Sequence, residues 1–184
     1  NVFSDPRPRN IRRARKAGIT VEKRWDNDAI KFLFETHKQN IENIGGKAKS
    51  ENFFKAVPRY FNEDEYCIFI ASIDEKPISA LLVFYFNETV EYFTPATLHE
   101  YRNDQPSALI IFEALINASK LGYKNWNWGG TWHTQKGVYD FKKKWGAIDM
   151  RYKYFINVRN KSWMLLDDKK ELIEAFPNFY LFPY

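Results

Sequence analysis

Cysteine is almost absent: Cys67 is the only one in 184 residues. One thiol forms no disulfide within the chain and cannot build an all-cysteine zinc site. It lies in the apolar run Tyr66-Cys67-Ile68-Phe69-Ile70, where a thiol behaves as a small hydrophobe, so a buried core residue is expected. Histidine is scarce too. His37, His99 and His133 stand far apart without ligand spacing, and no metal site is expected. No apolar run approaches the ~20 residues of a membrane span, and no basic-then-apolar signal pattern opens the chain. The expectation is therefore a cytoplasmic protein without a membrane span. Repeats, low-complexity tracts and Pro/Gly/Ser linkers are missing as well, so a single domain over residues 19–184 is expected behind a basic helix within 1–18.

What is present is an ordinary globular balance, 45% hydrophobic and 28% charged residues. The net charge is +5 and 18% of residues are aromatic. A polyanionic partner fits this surplus, and so does a solubilising surface; charge leaves both open.

Periodicity divides the chain. Asn10 to Gly18 reads as a short helix rich in Arg and Ala, with Gly18 as its stop and a strand, Ile19 to Glu22, behind it. From Asp28 to Ile44, Ile30, Leu33, Phe34, His37, Ile41 and Ile44 recur at helical spacing between a cap at Asp26 or Asn27 and the stop Gly45-Gly46. Ser50 can cap a second helix through Val57. The period then becomes that of strands over Tyr66–Ile73, Ile78–Phe86 and Val90–Thr94, parted by Asp74-Glu75-Lys76-Pro77 and Asn87-Glu88-Thr89. Pro106 to Leu121 predicts the longest central helix, with Leu109, Phe112, Leu115, Ile116 and Ser119 on one face. A strand Tyr123–Trp128, a helix Lys136–Trp145, a strand Arg151–Val158 and a helix Trp163–Phe176 complete the reading.

Three local patterns stand out: Arg9-Asn10-Ile11-Arg12-Arg13-Ala14-Arg15-Lys16-Ala17-Gly18-Ile19, Trp126-Asn127-Trp128-Gly129-Gly130, and Gly137-Val138-Tyr139-Asp140-Phe141-Lys142-Lys143-Lys144-Trp145-Gly146. With the order of elements, they resemble the second half of the Fem-type peptidoglycan bridge enzymes of the general N-acetyltransferase (GNAT) superfamily. The resemblance covers roughly residues 9 to 158. It implies an α/β (α+β) fold: a GNAT-like mixed, mostly antiparallel sheet, flanking helices and a splayed pair of central parallel strands. It further implies transfer of an acyl or aminoacyl group to an amine, in the best-known members from aminoacyl-tRNA to a cell-wall peptide precursor. Those enzymes carry two such domains, so the basic leading helix is expected to join a missing N-terminal one. Acetyl-CoA-using relatives have a glycine-rich turn before the central helix, where Tyr101-Arg102-Asn103-Asp104-Gln105-Pro106-Ser107 stands here. Aminoacyl-tRNA is thus favoured over acetyl-CoA as donor, with no tightly bound cofactor. Asn127 stands where the family frequently has aspartate.

Direct attack by an amine needs positioning, removal of a proton and stabilisation of an oxyanion. As the lysine of the Phe-Lys pattern, Lys142 is the first catalytic candidate; a solvated helix face with Lys143 and Lys144 is the plain alternative. His99 and His133 are candidate bases, and Glu100 and Asp104 runners-up. Donor contacts are expected from Phe141, Arg102, Trp128, Gly129, Gly130 and Trp132. Core packing is the competing account of Trp126 and Trp128. Arg12, Arg13 and Arg15, with Arg7, Arg9 and Lys16, are expected to meet a polyanion such as tRNA. A non-catalytic polyanion-binding module, a scaffold half and an ordinary acyl-CoA N-acetyltransferase remain the alternatives. No serine sits in a nucleophile-base pattern, and no covalent intermediate is expected.

Overall fold

A computed structural model describes residues 3–131 and 135–151. Trp132, His133, all but the first residue of the expected strand Arg151–Val158, and the expected helix Trp163–Phe176 lie outside the described residues. The chain divides into two units, Asn1–Ala147 and Ile148–Tyr184, and the architecture below is that of the first. Its order is α1 (Arg7–Lys16), β1 (Thr20–Arg24), α2 (Asn27–Glu42), α3 (Glu51–Tyr60), β2 (Tyr66–Ile73), β3 (Lys76–Phe86), β4 (Thr89–Thr97), a 3-10 turn (His99–Asp104), α4 (Pro106–Lys120), β5 (Asn125–Asn127) and α5 (Lys136–Lys143).

The elements follow from local chemistry. Asp26 caps α2 by accepting from the N–H groups of Asp28 and Ala29 at 3.0 and 3.1 Å, and Ser50 caps α3 through Phe53 N at 3.3 Å; each removes an unsatisfied donor from a first turn. The β2–β3 turn is tighter than expected. Asp74 and Glu75 both take left-handed conformations, φ 47° and 64°, a two-residue hairpin whose twist matches the strands, so Lys76 and Pro77 belong to β3. The segment before α4 also differs: it winds into the 3-10 turn and ends at Gln105 with φ 61°.

The sheet runs β1-β2-β3-β4-β5, antiparallel except between β4 and β5. Both faces are covered, which explains the unbroken apolar run of β2. Cys67, Phe69 and Ala71 face a cluster built with Ile11 and Ala14 of α1 and Leu109, Ile110 and Ile111 of α4. Tyr66, Ile68 and Ile70 face Leu33 of α2 and Phe54 of α3. Cys67 is 1% exposed and burial pushes its thiol up to about 12, an inert core residue. On α4 the inward arc is Ala108, Leu109, Ile110, Ile111, Ala114 and Ala118, whereas Ile116 and Ser119 are exposed. This corrects the expected stripe. α4 packs on both the sheet and α1, so its small residues lie where backbones approach most closely.

β4 is bulged: Tyr92 faces Val83 and Thr94 faces Leu82, leaving Phe93 unpaired. The extra residue switches the facing of the strand. Val90 and Tyr92 pack with α4, while Phe93 and Ala96 pack on the α2–α3 side.

Candidate functional site

β4 and β5 pair only over three rungs, Thr89–Asn125, Val90–Trp126 and Glu91–Asn127. Beyond Glu91 the two strands part, and the edge of β4 from Tyr92 onward has no strand partner among the described residues. Side chains lock the last rung. Asn127 Nδ2 donates to Glu91 Oε2 at 2.6 Å, and Asn127 Oδ1 accepts from Gly129 N at 2.9 Å. An aspartate there would repel Glu91, so the amide suits a site whose negative charge comes from the neighbouring strand. Gly129 takes φ +69°, which turns the chain back over the carboxylate. Glu91 Oε1 accepts no hydrogen bond among the described residues.

α5 closes the site from the other side. Lys142 Nζ donates to Gly129 O and Gly130 O, both at 2.9 Å, and to Thr131 Oγ1 at 2.8 Å. All three ammonium protons are used. Burial lowers the Lys142 pKa, and the Glu91 charge acts against that. Burial raises the Glu91 pKa, opposed by the Asn127 hydrogen bond and by Lys142. The result is a half-buried carboxylate whose proton affinity lies above the ordinary carboxylate range, facing the point where the strands separate.

An aromatic wall lines the α4 face of the rung. Trp128 lies 5.1 Å from Tyr92, 5.7 Å from Trp126, and 6.1 Å from both Phe141 and Trp145. Arg7 is buried among them, its guanidinium 4.5 Å from the Phe141 ring and 5.5 Å from Trp145. Burial lowers its pKa and raises that of Tyr92. Trp126 and Trp128, alternate along the chain, both pack against the core cluster. Arg7 is thereby taken out of the expected polyanion set.

The far end of the gap has a different character. Asn40 of α2 donates to Thr97 O at 2.9 Å and accepts from Thr97 N at 3.1 Å, occupying the last main-chain groups of β4. Thr97 Oγ1 also joins Ser79 Oγ and Ser107 Oγ at 2.7 and 2.8 Å. At the start of α4, Pro106 has no N–H, Ala108 N donates to Gln105 O at 3.0 Å, and Gln105 N donates to Arg102 O at 3.2 Å, while Gln105 Oε1 accepts from Asn10 Nδ2 at 2.8 Å. A pyrophosphate cradle needs free N–H groups at a helix start. Pro106 removes one such donor here, and Ala108 N is already bonded.

The structure thus gathers Lys142, Phe141, Trp128, Gly129 and Gly130 at one point. His99, Glu100, Arg102 and Asp104 lie on the 3-10 turn, on the order of 20 Å further along β4 from Glu91. On α1, Arg12 and Arg13 are exposed, while Arg15 pairs with Glu113 at 2.9 Å. Arg9, Arg12, Arg13 and Lys16 fall at helical spacing on one exposed stripe. Sequence reading missed Glu91 and Asn40. Glu91 stands between Val90 and Tyr92 as any outward residue of a strand would; its equal parity with Asn127 was the available signal. Among the described residues no helix is long and apolar enough to cross a membrane, and no group of metal-ligating side chains occurs.

A parallel pair that parts at the end of an antiparallel sheet, with helices on both faces, is the architecture of an acyltransferase domain. The chain belongs to the acetyltransferase (GNAT) domain family, whose model matches residues 7–143. No curated protein matches it by sequence. Among solved structures it is similar to FemX, with TM-score 0.71 and 17% identity over 79% of this chain and 54% of that one. The chain spans about half the length of FemX. It is also similar to an aminoglycoside acetyltransferase from an uncultured soil metagenomic sample in complex with sisomicin, with TM-score 0.57 and 13% identity over 77% and 97% of the two chains. A predicted acetyltransferase with acetyl-CoA from Clostridium acetobutylicum gives TM-score 0.57 and 15% identity over 76% and 96%. At such identities the likeness is one of fold.

Proposed function

We propose that this domain transfers an activated acyl or aminoacyl group to an amine by direct attack, with Glu91 as the base. The observation that carries the reading is the half-buried Glu91 carboxylate, one oxygen held by Asn127 and the other without a partner among the described residues, where β4 and β5 separate. The amine nitrogen attacks the donor carbonyl carbon. Its proton passes to Glu91 Oε1, and collapse of the tetrahedral adduct breaks the ester or thioester bond. The leaving oxygen or sulfur then takes the proton. The unpaired edge of β4 offers main-chain N–H groups to the developing oxyanion. Lys142 holds the Gly129–Thr131 turn over the carboxylate and adds positive potential.

The donor is an aminoacyl ester such as aminoacyl-tRNA in preference to acetyl-CoA. Support comes from the start of α4, where Pro106 offers no N–H and Ala108 N is already bonded, and from the exposed basic stripe of α1, whose charge suits phosphates. The Fem-type motifs and the FemX-like fold support a peptide amine of a cell-wall precursor as acceptor.

Glu91→Gln should lower kcat/KM for transfer by about 10²–10⁴-fold. In the wild type, activity should rise with pH through an apparent pKa above the usual ~4.3 of glutamate, because the carboxylate is the active form and burial favours its protonation. That acid limb should vanish in Glu91→Gln, while His99→Ala keeps it. A variant retaining activity within threefold would overturn the assignment of the base. Salt-sensitive tRNA binding by a wild type that acylates no amine would instead favour the binding module.

A further inference from the structure

The turn between α2 and α3 carries cations for which the described residues provide no counter-charge. Behind the end of α2 at Glu42 come Gly45, with φ +72°, and Gly46, whose N–H groups return to Glu42 O and Ile41 O at 2.9 Å each. A Cβ on Gly46 would lie 2.8 Å from Ile41 Cγ2, so this stop leaves no room for a side chain. Lys47 and Lys49 follow, and Ser50 opens α3. The Lys49 N–H donates to His37 Nε2 at 3.4 Å, and burial, then the Lys49 charge, hold that imidazole neutral with a pKa of about 4. Lys49 Nζ stands 5.2 Å from the Phe93 ring centre and meets neither a carboxylate nor a hydrogen-bond acceptor among the described residues. Burial lowers its pKa, and no neighbouring charge opposes that. A half-buried ammonium is costly unless an anion joins it.

Its contact with Phe93 of β4 indicates where such an anion would sit. Glu91 faces Phe84 across the sheet, and Phe93 packs on Phe84 at 5.1 Å and on Phe53 of α3 at 5.8 Å. Glu91 and Phe93 therefore share the α2–α3 face, with Phe93 about 7 Å beyond Glu91 by strand rise. A cavity of about 420 Å³ opens on the same turn; of its lining charges Lys38 pairs with Glu42 at 3.9 Å, which leaves Lys47 and Lys49 without an ion pair among the described residues.

We infer that Lys49 binds an oxyanion, carboxylate or phosphate, carried by the acceptor on the α2–α3 face of β4 beyond Glu91. The position of the amine rests on the transferase reading; the anion site itself rests on the geometry of the turn. Lys49 is thus a specificity residue, and it takes no part in proton transfer.

The test compares three amines of one length: ε-aminocaproate, aminohexyl phosphate and uncharged aminohexanol. Wild-type KM should be lower for an anionic amine than for the alcohol, and the preferred anion distinguishes carboxylate from phosphate. Lys49→Met should raise KM for the anionic amine about tenfold or more, the worth of a lost charge-assisted hydrogen bond, with kcat and the alcohol KM little changed. Lys49→Arg should restore most of the difference. Equal wild-type KM values for all three amines, or a uniform change in Lys49→Met, would overturn the inference. If the wild type acylates none of them, the transferase reading fails separately and the anion site is decided by thermal unfolding with inorganic phosphate or acetate. Stabilisation of the wild type that Lys49→Met lacks supports the site; equal shifts in both proteins overturn it.

Discussion

An ammonium group has three protons to give, and Lys142 gives all of them to the turn that follows β5. Its contribution in this arrangement is positional and electrostatic: it fixes Gly129 to Thr131 above Glu91 and favours the charged carboxylate. Lys142→Met keeps the aliphatic stem and removes both effects. Without the nearby positive charge, Glu91 should hold its proton to higher pH, so the acid limb of kcat/KM should move upward. Loosening of the turn should reduce kcat about tenfold or more. A pH-rate profile checks both. A hundredfold loss with the limb unmoved would mean that Lys142 meets the transition state directly.

Among the elements, α2 connects stability to the site. Its N-terminus is tied down at Asp26, which accepts from two main-chain N–H groups and from Arg24 at 2.7 Å. Its C-terminal half carries Asn40, which occupies Thr97 at the end of the free β4 edge. Asp26→Ala should destabilise the fold by about 1–2 kcal/mol at neutral pH, as lost caps do. The Arg24 hydrogen bond, with those of the cap, holds the Asp26 pKa down to about 2. A carboxylate depressed on folding adds stability that is complete above its unfolded pKa near ~3.9 and is lost as pH falls through the folded value. The gap between wild type and Asp26→Ala in urea unfolding should therefore narrow from about pH 4 down to about pH 2. A gap constant across that window would show that the charge is immaterial and the cap purely geometric.

At the scale of the whole molecule, the +5 charge is unevenly used. Arg7 is buried in the aromatic wall and Arg15 is engaged by Glu113 and lies 5.1 Å from the Phe112 ring. Arg12 and Arg13 face solvent with Arg9 and Lys16. If the stripe meets tRNA phosphates, Arg12→Ala/Arg13→Ala should weaken binding and flatten the slope of log K against log salt by up to about 2, near one unit per lost phosphate contact. Arg15→Ala should change the slope less. Fluorescence anisotropy with tRNA over a salt series measures both, and equal changes in the two variants would argue against a stripe-specific surface.

Much of this was determined by local sequence. The strand period of Tyr66–Ile73 and its two successors, the cap at Asp26 and the stop at Gly45-Gly46 are set within a few residues of chain and appear in the fold, whereas the helix from Pro106 ends at Lys120 and, at 15 residues, is shorter than the 16 of α2. The Trp126–Gly130 and Phe141-Lys142 patterns marked the two segments that meet in the site. Tertiary structure alone decided where β4 and β5 stop pairing, and with it the meaning of Glu91. Alternation along a strand tells which face a side chain takes; it does not tell which strand lies alongside or at which rung the pair ends. Glu91 and Asn127 are 36 residues apart, and Asn40 and Thr97 are 57 apart. In the sequence Lys142 is the first catalytic candidate with a solvated lysine run as the alternative, and it is the turn at Gly129 that brings three oxygens to its nitrogen. Arg7 belonged to a basic run until the rings of Phe141 and Trp145 enclosed it. In each case the residue's role follows from the partner that folding delivers, and that partner lies beyond the reach of any local pattern.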